Sequence, residues 1–148
     1  MKFIADVHLG KLAKLLRILG FDAWYKNSAA AVELIDVAVA ENRILLTKNP
    51  ALQTNPDLKL FIITNENPEI QLQQVLHHFN LKNFQPFSRC IVCNGLIKPV
   101  EKKDIASRLQ PNTAKYFDEF WQCENCKGVY WKGSHYERMR KWELGIRN

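Results

Sequence analysis

The spacing of apolar positions changes repeatedly along the first half of the chain, and each change predicts an element. Lys2 to Asp6 alternates into an apolar strand. Leu12, Leu15, Leu16 and Leu19 then follow the i, i+3, i+4, i+7 spacing of a helix over Leu9–Leu19, which Gly20 stops. A short strand over Asp22–Tyr25 comes next. A second helix starts from a Ser28 cap and runs to about Glu41, with Val32, Ile35 and Val39 turned to the core. Arg43–Thr47 and Lys59–Thr64 are apolar runs of strand length. Asn67 and Pro68, a cap and a first-turn proline, open a helix to about Phe79. Strands alternating with helices predict a parallel sheet covered on both faces, a three-layer α/β/α domain.

Past Ser88 the pattern gives way to short aromatic, strand-like pieces such as GVYWKG and a polar connection rich in Lys and Asp. A boundary there divides the chain into an α/β domain, residues 1–87, and a smaller module, residues 88–148, whose end from His135 to Asn148 is expected to form a basic helix. All four cysteines lie in this module, as the pairs Cys90/Cys93 and Cys123/Cys126. Two-residue spacing lets both thiolates of a tight turn face one ion, and two such turns suit a closed, structural Zn²⁺ site. Each second cysteine is followed two residues later by glycine, Gly95 and Gly128, where a positive φ would turn backbone amides toward sulfur. Disulfides and rubredoxin-type iron are the competing uses. A four-thiolate site leaves no position for water, so the expected role is folding rather than catalysis.

Charge sharpens the division. Residues 1–87 carry 9 basic against 8 acidic side chains, and residues 88–148 carry 12 against 7, so the basic surplus falls on the cysteine module. That points to polyanion contact. Arg89, Lys132, Arg138 and Arg140 share this module with the aromatic residues Trp131, Tyr136 and Trp142, a mixture suited to phosphate contact and base stacking on single strands. In the first helix, Lys11, Lys14 and Arg17 recur every three residues, and Lys14 and Arg17 are candidate phosphate contacts. No run reaches the roughly 18 apolar residues of a membrane helix, and Asp6 comes too early for a signal peptide, so a soluble, cytoplasmic protein is expected.

The strand ends carry the candidate chemistry. In a parallel sheet Asp6 closes the first strand, Asn49 follows the third and Asn65 the fourth, while Glu33 and Asp36 overhang from the second helix. Carboxylates without nitrogen or sulfur ligands suit Mg²⁺ or Mn²⁺, which activate water in phosphodiester cleavage. The Asp-x-His of DVHLG also opens metallophosphoesterase sites, but the Gly-Asp and Gly-Asn-His ligand motifs of those enzymes do not occur here.

FIADVHLGKLAKLLRILGFDAWY, NRILLTKN, RCIVCNGLIKPV and DEFWQCENCKGVYWKGSHYERM, in that order, resemble the Mut7-C family, a PIN-like ribonuclease domain carrying a zinc ribbon. The resemblance implies a PIN-like fold, Asp6 as the leading metal-binding carboxylate, and Glu33 or Asp36 as the helix-borne one. It also exposes a departure. Where the family pattern has Thr-Arg-Asp, this chain has Thr47-Lys48-Asn49, which removes a negative charge from the metal site. A weak nuclease, a nuclease that draws a carboxylate from elsewhere such as Glu66, and a fold kept for RNA binding are the outcomes left open.

Overall fold

The computed structural model describes residues 1–134, 136 and 137. Four parallel strands form the first sheet: β1 (Lys2–Ala5), β2 (Asp22–Trp24), β3 (Ile44–Thr47) and β4 (Lys59–Ile62), in the order β2-β1-β3-β4. Three helices cover it, α1 (Gly10–Ile18), α2 (Ala31–Ala40) and α3 (Pro68–His78). Side chains alternate across the pleat. Phe3 and Ala5 of β1 and Leu46 of β3 pack with Leu12 and Leu16 of α1 and Leu72 and Val75 of α3. Ile4 and Leu45 face the other way, onto Leu34 and Ala38 of α2. The three layers expected from the sequence are present.

Local chemistry sets the element ends. Gly20 ends the first helix with φ +95°, and the backbone carbonyl of Gln85 passes so close that a Cβ there would collide with it. The Asn67 side chain accepts the Glu69 N–H at 2.9 Å and starts α3, as the sequence suggested. The second helix departs from expectation. Ser28 does not cap it; its buried residues are Leu34 and Ala38, Ile35 and Val39 pack against the same core as expected, and Val32 is 70% exposed.

The cysteine module is a three-stranded antiparallel sheet, β5 (Ile97–Val100), β6 (Phe120–Cys123) and β7 (Val129–Tyr130). Two short helices, α4 (Lys102–Ile105) and α5 (Pro111–Tyr116), fill the connection between β5 and β6. Cys90, Ile97 and Cys123 are its buried centre, packed by Trp121 and Tyr130. Of the two adjacent aromatics, Tyr130 joins this core, while Trp131 lies against Phe120 with ring centroids 6.3 Å apart. The expected basic helix after His135 lies outside the described residues, apart from Tyr136 and Glu137.

Candidate functional site

The strand order reverses at β1 and β3: the connection after β1 leads to one side of it, and the next leads to the other. Ligands of open α/β sheets bind at the carboxyl ends of strands at such a point. Asp6 stands there, directly after β1, with its backbone N–H donating to Leu46 O at 3.0 Å. The buried Thr47 hydroxyl donates to Asp6 Oδ2 at 2.7 Å and accepts the Asn49 N–H at 3.1 Å. One carboxylate oxygen is thus held in place. Among the described residues, no lysine, arginine or histidine lies within ion-pair distance of Asp6. Tyr25 steadies the segment that follows by donating its hydroxyl to Val7 O at 2.8 Å.

The other candidate carboxylates are arranged less favourably. Glu33, in the first turn of α2, is paired with Lys26 at 3.0 Å, and Asp36 is exposed one turn further on. Among the described residues, Asp6, Glu33 and Asp36 do not form a group close enough to share one ion. Asn49 Oδ1 accepts the Ala51 N–H at 3.0 Å and caps the short turn Pro50–Leu52. Glu66, the potential substitute acid, is 88% exposed and paired with Lys48.

The four cysteines do converge. Their sulfurs all lie within 4.8 Å of one another, with Cys90–Cys126 at 3.6 Å and Cys93–Cys123 at 3.4 Å. Those separations exceed a disulfide bond of about 2.05 Å. They are close to the edge of about 3.8 Å of a tetrahedron with metal–sulfur bonds of about 2.3 Å. The group could hold a metal such as zinc. The two knuckles repeat one design. Cys90 N–H donates to Gly95 O and Asn94 N–H to Cys90 O, just as Cys123 N–H donates to Gly128 O and Lys127 N–H to Cys123 O. The left-handed residues are Asn94 and Lys127, both at φ +67°, rather than the glycines that follow them. Glycine is required at Gly95 for room, because a Cβ there would stand 2.8 Å from Cys123 Sγ.

The sulfur chemistry fits a cation. Burial opposes ionisation of Cys93, but hydrogen bonds from Asn125 and the Gly95 amide bring its thiol down to about 6. The Gly128 amide favours the Cys126 thiolate, yet burial and the neighbouring sulfurs push that thiol up to about 12. Four thiolates therefore need a positive ion between them. Tyr130 Oη lies 2.9 Å from Cys90 Sγ and accepts the Ile91 N–H at 3.2 Å, a contact with sulfur that the sequence did not signal.

The candidate phosphate contacts divide. Lys14 is exposed on α1, and Lys132 is exposed with its Nζ 5.7 Å from the Trp121 ring and 5.5 Å from the Tyr136 ring. Tyr136 and Trp121 both stack against Phe87, with ring centroids 5.3 and 4.7 Å away, so Tyr136 is partly committed within the chain. Arg89 donates to Asn94 O at 3.0 Å and lies 3.6 Å from Asp22. Arg138, Arg140 and Trp142 lie outside the described residues.

Arg17 is a correction. It is 4% exposed, and its guanidinium donates to Ala23 O at 2.9 Å, Ile91 O at 3.0 Å and Val92 O at 3.3 Å. Burial lowers its pKa from the usual arginine value, while the nearby Cys90, Cys93 and Asp22 act to raise it. It ties α1 and β2 to the first knuckle and has no face for phosphate.

No described helix is long and apolar enough to cross a membrane. No curated protein and no solved structure is similar enough to count as a match. The family model of the Mut7-C RNAse domain matches residues 1–142, a span that takes in both Asp6 and the four cysteines, and the chain belongs to that family.

Proposed function

We propose that this protein is a divalent-metal-dependent ribonuclease that hydrolyses phosphodiester bonds in single-stranded RNA, with one structural Zn²⁺ in the cysteine ribbon. The observation that carries the reading is Asp6: a carboxylate at the switch point, oriented by Thr47, with no basic partner among the described residues. Mg²⁺ or Mn²⁺ bound there would supply an activated water and neutralise the leaving oxygen. Thr47 holds Asp6 Oδ2, which leaves Oδ1 to face such an ion. Glu33 would join only by leaving Lys26, and Asp36 lies one turn beyond. Lys14, Lys132 and, from the sequence, Arg138 and Arg140 would hold phosphates. Thiols kept reduced for metal suit the cytoplasm.

Asn49 favours a second reading, an RNA-binding relative with weak or lost chemistry. Its amide brings no charge, and its oxygen already serves Ala51. Cleavage of end-labelled single-stranded RNA with Mn²⁺ or Mg²⁺, by this protein and by Asp6→Asn prepared identically, separates the two. Metal-dependent cleavage that vanishes in the variant supports the nuclease. Equal activity in both, or none in either, leaves the binding module.

A further inference from the structure

Outer strands of a sheet turn alternate N–H and C=O groups toward solvent, where they invite pairing with another chain. β2 is such a strand, and Ala23 is its outward-facing residue. Yet Ala23 is fully buried. Its N–H donates to Asn94 Oδ1 at 3.0 Å, and its C=O accepts from Arg17 Nε at 2.9 Å. Asn94 also donates its Nδ2 to Asp22 Oδ1 at 2.7 Å. The Asn94 amide oxygen and the Arg17 guanidinium thus take the N–H and the C=O that a neighbouring strand would otherwise pair.

Asn94 is also the left-handed turn residue between Cys93 and Gly95, and its own N–H closes the knuckle onto Cys90 O at 2.9 Å. The same knuckle presents Ile91 O and Val92 O to Arg17. From Asp22 the polar contacts continue to Arg43 Nη1 at 2.7 Å, which in turn donates to Phe3 O of β1 at 3.0 Å.

We propose that the first cysteine knuckle is the closing edge of the parallel sheet: metal held by the four cysteines fixes Asn94 and Arg17 against Ala23, and loss of that metal opens the β2 edge while β3 and β4 stay paired. The proposal uses the metal site alone and holds whether or not the protein cleaves RNA. Without an ion nothing joins the four sulfurs, and the turn that presents Asn94 starts at Cys90 and passes through Cys93. The knuckle has little core to keep its shape once the ion is gone.

The test is amide hydrogen exchange on the full chain, loaded with one equivalent of Zn²⁺ and then stripped with chelator under reducing conditions. The Ala23 amide should exchange at least tenfold faster in the stripped protein, while the β3–β4 amides remain protected. Asn94→Gly, which keeps the left-handed turn, should bind one zinc and still lose Ala23 protection. Unchanged Ala23 exchange on stripping overturns the proposal. So does loss of protection across β3 and β4 together, since the ion would then support the whole fold rather than one edge. If Asn94→Gly fails to hold zinc, the comparison of loaded and stripped wild-type protein decides alone.

Discussion

Replacing Arg17 by methionine keeps the aliphatic stem and removes the guanidinium. Two well-placed charged hydrogen bonds are lost, to Ala23 O at 2.9 Å and Ile91 O at 3.0 Å, with a longer one to Val92 O at 3.3 Å. Each charged bond contributes about 1.5–3 kcal/mol. Relief of the buried charge returns part of that, so the net loss should be about 2–4 kcal/mol. That is a large share of the roughly 5–15 kcal/mol that holds a domain folded. Urea unfolding of the zinc-loaded chain, followed by circular dichroism, measures it. Lys14→Met, on the exposed side of the same helix, is the control and should change stability by less than about 0.5 kcal/mol. RNA binding should show the reverse. Lys14→Met should flatten the salt dependence by about 0.7 in log–log slope, the value for one phosphate contact on a single strand, and folded Arg17→Met should leave that slope alone. A flattened slope in Arg17→Met without destabilisation would refute the structural role.

Further outcomes can be measured separately. Tyr130→Phe removes the phenol from Cys90 Sγ and should weaken metal affinity about 10–100-fold in competition with a chromophoric chelator; equal affinity would mean the sulfur does not need that partner. Asn49→Asp can keep the cap on Ala51 with one oxygen and offer the other to an ion, so Mn²⁺ affinity or RNA cleavage should rise. No change in either would place the side chain away from the ion. For Asp22, burial works to raise the carboxyl, but hydrogen bonds from Arg43 and Asn94 hold it below its usual value. A carboxyl held lower in the folded state contributes stability that is complete above about pH 4 and is lost as pH falls through its folded value. Asp22→Asn should flatten that part of the acid unfolding curve, and an unaltered curve would sink the argument.

What the sequence made legible is what rests on local chemistry. The apolar strand segments, the Asn67 cap, the Gly20 stop and the cysteine pairs all depend on neighbours a few residues away, and the alternation of strand with helix implied the parallel pairing. Arg17 was misread because a three-residue repeat is not a helical stripe. At about 100° per residue, Arg17 lies about 240° around the axis from Lys11, on the side that meets β2 and the knuckle. The segment Ala31–Ala40 is apolar on nearly every face, so periodicity could not choose Leu34 and Ala38 over Val32. α4 and α5 are too short to show a period at all. That residue 49 is an asparagine at a strand end was visible; that its side chain caps a turn was not, because the partner is a backbone amide. Thr47 had no signal beyond its place at a strand end.

The Arg17 contacts also carry a consequence for synthesis on the ribosome. Its carbonyl partners on the knuckle lie 74 and 75 residues later in the chain. At about 5–20 residues per second, Arg17 is made roughly 4–15 s before those carbonyls exist. During that interval a cation destined for burial must stay hydrated, and the helix that bears it cannot settle fully on β2. The nascent domain therefore waits, incompletely docked, for a turn it has not yet made. Metal capture comes later still, after Cys126 has emerged, and is the last step in fixing the position of a residue translated near the beginning.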